Sequence, residues 1–439
     1  MEQIARLPLF PVGAQVNPAG RLVIGGCDTA ELAARFGTPL YLYDEATLRR
    51  NCQEVKGDFG KRYPNSQVIY ACKAIILKAL ANIIQEEGLG LDVVSGGEMG
   101  VAHAAGFPLS DVFFHGNNKS ADELRMALEL GVGRVVVDNF HELAMLGKMA
   151  AEQGKKVDIL LRVTPNVDPH THTYTSTGNL DSKFGLPLDR AEEAVKAALA
   201  APALNLVGLH FHIGSLIYEV EPYLGALEHV LDFAAEMVNK HRFGLKELSM
   251  GGGFAVQYTL DQPAPAIPYY ADPITGTLKA RCARLHLPLP KLILEPGRFI
   301  VARAGIALYT IGSMKEIPGV RTYVAIDGGM ADNIRPALYQ ARLEAVIANR
   351  MRAAMAGKYS IAGKFCESGD ILVKDLELPA PAAGDLVAVP VCGAYSIPEA
   401  MNYNAFFKPA VVLVRDGRAR LIRRRETLDD LLRTENEID

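Results

Sequence analysis

Eight short runs of β-branched and apolar residues, at 67–72, 90–95, 112–115, 134–138, 158–164, 204–213, 247–252 and 291–296, recur with helix-like stretches between them. Such alternation specifies a parallel sheet, because each return to a parallel neighbour needs a crossover long enough for a helix. Stretches 120–130 and 189–201 carry acidic starts, apolar residues at three-to-four spacing and a Gly or Pro at the end, as helices do. Eight units of this kind predict a (β/α)8 barrel. Past about residue 303 the texture changes to shorter Val/Ile/Leu runs broken by Gly, Pro and Asp, at 322–326, 370–373, 385–389 and 410–414. These predict a second, mainly antiparallel β domain. The strand-like pieces 22–24 and 40–43 precede the barrel repeat and are expected to add to that domain. The expected α/β organisation is an N-terminal segment 1–45 joining the β domain, a barrel at 46–303 and a C-terminal β domain at 304–439.

Composition narrows the function. With 46 Lys+Arg against 50 Asp+Glu, the chain carries no electrostatic footprint for nucleic acid or an anionic membrane, and neither partner is expected. One uncharged stretch, 197–218, could span a bilayer by length, but it contains Pro202, Asn205, His210 and His212, which are costly in lipid. Residues 1–18 hold Glu2 and three prolines without a long apolar core, and do not read as a secretion signal. The 6 cysteines lie far apart with no CxxC pair, so neither a disulfide framework nor a zinc site is expected. A reducing cytoplasm fits best.

In such a barrel, chemistry sits at the C-terminal ends of the strands. Here the runs end on a polar ring: Lys73, Asp92 with Ser95, His115, Asp138, Arg162, His212, the triple glycine 251–253, and Glu295 with Arg298. Lys73 follows a run that should be buried, so its amine would be partly desolvated and suited to imine formation; a snorkelling surface lysine is the plain alternative. His210 and His212 share one face of an extended run and could stack on a flat ring or pack in the core. Their spacing gives little support for a metal, and none is expected. The triple glycine lets backbone amides approach an anion such as phosphate, or simply makes a tight turn. Glu295 could stabilise a protonated ring nitrogen, or pair ordinarily with Arg298. His170 and His172 fall in a loop-like stretch and read as turn or lid residues. An imine-forming lysine, a stacking face, an anion site and an acid for a pyridinium nitrogen are together what pyridoxal 5'-phosphate requires.

The order of short motifs sharpens this reading. They are Tyr-Ala-Cys-Lys-Ala at 70–74, Asp-Val-Val-Ser-Gly-Gly-Glu at 92–98, His-Gly-Asn-Asn-Lys-Ser at 115–120 and Asp-Ser-Lys-Phe-Gly at 181–185. His-Phe-His-Ile-Gly-Ser at 210–215, Gly-Gly-Gly-Phe at 251–254 and Glu-Pro-Gly-Arg at 295–298 follow. Arg-Pro-Ala-Leu-Tyr at 335–339, Cys-Glu-Ser-Gly-Asp at 366–370, and Gly-Ala-Tyr at 393–395 with Tyr403 and Asn404 complete the series. Over nearly its whole length the chain resembles the fold-type III pyridoxal-phosphate-dependent decarboxylases, of alanine-racemase/ornithine-decarboxylase-like architecture, and within them the branch acting on diaminopimelate.

By that resemblance Lys73 would hold the cofactor covalently, His212 would stack on its ring and Glu295 would face its nitrogen. Asp92, Gly252 and Gly297 fall in the cofactor-binding motifs, and Ser215, Gly253, Arg298 and Tyr403 would line the phosphate and nearby substrate. The resemblance also implies a head-to-tail homodimer, in which Cys366, the acid that would protonate Cα, and Glu367 reach across from the second subunit. Read alone, Cys366 could as well be a small buried core residue. Arg335, Tyr339 and Glu367 match the family's residues for the distal carboxylate and ammonium of the substrate, for which a bidentate Arg and an acid are suited. The implied reaction is decarboxylation of meso-2,6-diaminopimelate to L-lysine and CO2, the last step of lysine biosynthesis. The chain departs from the family at Ile75, where an Asn is usual two places after the lysine, at Leu216, at Glu399, Ala400 and Met401, and at Ala405, Phe406, Phe407 and Lys408. These changes are expected at the pocket rim. They keep open a related decarboxylase acting on another basic, modified or carrier-linked amino acid. A catalytically silent regulator is disfavoured, because Lys73, Glu295 and Cys366 are all present.

Overall fold

The computed structural model describes residues 2–168 and 182–436, so His170, His172 and their loop lie outside the described residues. The chain divides into two units, one of residues 51–255 and 264–299, the other of 1–50, 256–263 and 300–439.

The first unit is the expected barrel. Strands β1 (Ser66–Ala71), β2 (Gly90–Val93), β3 (Val112–Phe114), β4 (Arg134–Val137), β5 (Val157–Thr164), β6 (Leu204–His210), β7 (Glu247–Ser249) and β8 (Lys291–Leu294) pair in parallel in sequence order. The β8 strand then closes on β1. The helix Ala121–Leu130 begins at a capping box, where Ser120 and Glu123 satisfy each other's backbone amides, and stops at left-handed Gly131. Ser95 and Asn139 cap the helices after β2 and β4, their side chains accepting from the Glu98 and Glu142 amides. Ser95 of the polar ring is thus a helix cap.

Inside the barrel, Ile69, Phe113, Val136, Leu160, Val207 and Ile293, from six strands, form one apolar cluster. Each contributes roughly 1.5–3 kcal/mol by leaving water. Side chains alternate faces along a strand, so two residues further on the same alternation turns His115, Asp138, Arg162 and Glu295 inward, and four further it turns Lys73 inward. In β6 a register shift between Leu206 and Gly208 resets the alternation, and His210 joins the same group. One apolar plug therefore carries a polar floor above it.

In the second unit the long strand Gly305–Ile317 pairs antiparallel with Arg321–Ile326, Leu386–Val389 and Leu40–Asp44. Leu40–Asp44 pairs on its other side, in parallel, with Ala410–Arg415. The N-terminal segment thereby supplies an internal strand of a mainly antiparallel sheet, while Leu22–Ile24 joins a separate three-stranded sheet. Leu40, Leu42, Ile306, Leu308, Ala388 and Val412 meet in the core of this unit. Among the described residues no helix is long and apolar enough to cross a membrane.

Candidate active site

Glu295, just past β8, is the best-connected side chain of the barrel floor. Its Oε1 accepts a hydrogen bond from Ser249 Oγ at 2.6 Å, and its Oε2 lies 3.2 Å from His210 Nε2. His115 Nε2 lies 3.6 Å from Glu295 Oε1 and 3.7 Å from Asp92 Oδ1. The His115 and His210 rings meet edge to face at 4.9 Å. Burial alone would push the Glu295 carboxyl up, but His210, His115 and the donated hydrogen bonds outweigh it and hold the group well below the usual carboxylate range. Asp92 goes the other way: burial, reinforced by the charge of Glu295, pushes it well above that range against the pull of Lys73. The three imidazoles His115, His210 and His212 are kept neutral, chiefly by burial. His115, His210 and Glu295 place donor atoms within 4.8 Å of one another, a spacing a metal could also use. The Ser249 and His210 contacts account for the grouping as a hydrogen-bonded cluster.

Lys73 sits half-buried in a short turn after β1, and its charge acts on Asp92, Glu98 and the three imidazoles. Gly297 packs against Ala71 and Ala74, where a Cβ would come within 2.9 Å of the Ala71 carbonyl oxygen. Ile75, expected at the rim, is instead a core residue at 1% exposure, and its carbonyl accepts from the Tyr70 hydroxyl at 2.7 Å. The apolar side chain at this position is satisfied by burial.

The triple glycine is required by close approach as well as by conformation. A Cβ on Gly251, at φ +72°, would stand 2.4 Å from His212 Nδ1, and one on Gly252 would stand 2.1 Å from the Glu295 carbonyl oxygen. The Gly252 amide donates to His212 Nδ1 at 3.3 Å, and the Gly252 carbonyl accepts from Tyr223 Oη at 2.9 Å. Gly253 accepts through its carbonyl from the Ile217 amide. Nearby, the Arg298 guanidinium donates through Nε and Nη2 to Ser215 Oγ at 3.2 and 3.1 Å. Ser215 and Arg298 are thus the polar side chains available to an anion beside the glycine turn.

The remaining candidates lie in the β unit. Arg335 is 6% exposed, and its guanidinium lies 5.4, 5.7 and 5.8 Å from the rings of Tyr258, Tyr339 and Tyr395. Its Nε has no hydrogen-bond partner, and among the described residues no carboxylate pairs with it. Cys366 is exposed rather than a core residue, and its amide donates to Asn404 Oδ1. Glu367 accepts from Tyr403 Oη at 2.8 Å. Phe406, one of the departures, packs edge-on against Phe365 at 5.0 Å, beside Cys366.

Reasoning along the sequence did not single out Ser249, Tyr223 or Tyr258, and gave Tyr395 no role beyond its place in the Gly-Ala-Tyr motif. Ser249 is a small residue in a three-residue strand, and nothing local marks it. Alternation from Glu247 along β7 would have placed it inward.

Comparison with known proteins agrees with this arrangement. The family described as "Pyridoxal-dependent decarboxylase, pyridoxal binding domain" matches residues 45–302. The diaminopimelate decarboxylase of Bacillus subtilis is 47% identical over 419 residues, covering 95% of each chain. The crystal structure of diaminopimelate decarboxylase from M. jannaschii in co-complex with L-lysine superposes with a TM-score of 0.90 at 35% identity, covering 97% of this chain and 98% of that one. That of Helicobacter pylori complexed with L-lysine gives 0.86 at 32% identity, covering 92% and 98%. A barrel floor with a lysine, an ionised carboxylate and neutral imidazoles, matched over nearly the full length of both chains, places this protein in the pyridoxal-dependent decarboxylase family.

Proposed function

We infer that this chain decarboxylates meso-2,6-diaminopimelate to L-lysine and CO2 with pyridoxal 5'-phosphate as its cofactor. The residues fit that group: a half-buried lysine at a strand end, a fixed carboxylate anion for a ring nitrogen, a histidine held neutral, and Ser215 with Arg298 beside a glycine turn for the phosphate. When bound, the cofactor supplies an electron sink for the charge left as CO2 departs. Lys73 would hold it, and Glu295 would keep a proton at the ring nitrogen. His212 would offer its face as a neutral plate, its Nδ1 committed to the Gly252 amide.

The observation that carries the substrate is Arg335. A guanidinium in a residue 6% exposed, walled by tyrosines and without a carboxylate partner among the described residues, is costly unless a ligand supplies the anion. A distal carboxylate does so bidentately, and a diamine or a monocarboxylic substrate bound by its α-carboxylate does not. Tyr339 and Glu367 would complete that end. Cys366 is the acid assigned to Cα. Its exposure, with that of Glu367, supports a homodimer in which these residues serve a second subunit. No disulfide joins the six cysteines, which supports a cytoplasmic location.

The test is direct. Purified protein loaded with pyridoxal phosphate and given meso-diaminopimelate should release lysine and CO2 in equal amounts. Turnover of ornithine or lysine with none of diaminopimelate would replace this reading by the related-decarboxylase one.

A further inference from the structure

We propose that Ser249, His210 and His115 are positioning residues that lock Glu295 as an oriented carboxylate anion. The proposal rests on the reading that the cofactor occupies this barrel floor. Both Glu295 oxygens are engaged from the protein side, Oε1 by the Ser249 hydroxyl and Oε2 by His210, and both contributing residues are at most 1% exposed. A neutral His210 can donate only through Nε2 in this geometry, which leaves its Nδ1 without a partner, as observed. The imidazole is thereby held in one tautomer.

His115 completes the arrangement. Its Nε2 stands between two carboxylates, 3.6 Å from Glu295 and 3.7 Å from Asp92, and both His115 Nε2 and Asp92 Oδ1 lack a hydrogen-bond partner. Two carboxylates flanking one imidazole in a dry site do not both ionise. Ser249 and His210 donate to Glu295 and not to Asp92, so the anion settles on Glu295 and the retained proton on the Asp92 side. The other charged and titratable groups acting on this centre are Lys73 after β1, Glu98 after β2, Arg162 on β5 and His212 after β6. The functional consequence is specific. A protonated Glu295 would offer its own hydrogen to the ring nitrogen, leaving that nitrogen unprotonated and the sink weak; a carboxylate accepts the hydrogen and keeps the nitrogen charged.

The experiment uses the cofactor-loaded protein and two separate variants, Ser249→Ala and His115→Gln. The visible cofactor absorbance is titrated from alkaline to acid pH without substrate, and kcat and KM are measured with diaminopimelate. Removing a partner that favours the anion raises the Glu295 pKa, so the acid transition of the spectrum should move towards neutral pH by about one unit in each variant. The kcat should fall roughly ten- to hundredfold while KM changes little. A folded variant of either kind that titrates like the wild-type protein overturns the proposal. A wild-type protein with the visible band and no lysine formed overturns the functional reading instead, and the spectral titration still reports on Glu295.

Discussion

The Arg335 guanidinium lies 5.4 Å over the ring of Tyr258, a residue from the short 256–263 excursion that groups with the β unit. The aromatic wall shields the cation from water and leaves its Nε unpaired. Replacing Arg335 by Ala should therefore reduce kcat/KM for diaminopimelate by about 2–5 kcal/mol of transition-state stabilisation, the range for truncating a buried charge partner. Cofactor affinity should stay near the wild-type value. Equal losses in both would contradict the assignment.

Lys73→Ala should abolish the visible absorbance of bound cofactor. In the wild-type protein, borohydride treatment followed by peptide mass analysis should label this side chain. A label on another lysine would remove the central assignment.

Tyr223 is fully buried and its hydroxyl is the donor to the Gly252 carbonyl. Tyr223→Phe leaves that carbonyl without its partner at a cost of about 1–3 kcal/mol, and the glycine turn is where it is felt. The expected outcome is weaker pyridoxal phosphate binding, measured by equilibrium titration of the apoprotein, with a smaller change in kcat. Unchanged cofactor affinity would show that the turn does not depend on this clamp.

Asp332 in the β unit gives a stability prediction. Its carboxylate accepts from Tyr309 Oη at 2.6 Å, Tyr41 Oη at 3.1 Å and the Gly329 amide at 2.9 Å, yet burial pushes it up to about 6. Raised above its unfolded value, the group takes up a proton on folding. Its stabilising contribution is complete below the unfolded pKa and is lost as pH rises through about 6. Between pH 4 and 7 the wild-type chain should lose about 2 kcal/mol relative to Asp332→Asn. Paired thermal unfolding across that range measures the difference, and parallel curves would refute it.

The shared-site dimer is tested by mixing. Lys73→Ala and Cys366→Ala chains, each inactive alone, should regain up to about a quarter of wild-type activity after subunit exchange, since half the dimers pair unlike chains and each carries one intact site. No recovery after demonstrated exchange would place Cys366 and Lys73 in the same subunit's site.

The barrel was legible because its periodicity is local: each run and each capped helix, such as Ala121–Leu130, declares itself within a dozen residues. Lys73, Asp92, His115 and Glu295 were legible because strand ends are where such residues gather. What joins them was not. Ser249 reaches Glu295 from the adjacent strand, and the register shift in β6 decides that His210 meets the same carboxylate. Arg335 was visible as a cation, but its tyrosine wall comes from three separate segments. Ile75 went astray for the opposite reason: a departure from a family pattern was read as a change at the pocket rim, whereas this isoleucine is a buried core residue.

The strand Leu40–Asp44 is held between Gly305–Ile317 and Ala410–Arg415. A ribosome delivers it among the first residues, yet both of its neighbours emerge only after the whole barrel has been made. Throughout synthesis this short apolar ribbon, Leu-Tyr-Leu-Tyr-Asp, must wait with two bare hydrogen-bonding edges exposed to other nascent chains. Chains shortened at the carboxyl end before 410 would leave one of those edges open permanently, and should aggregate even though every barrel residue is retained.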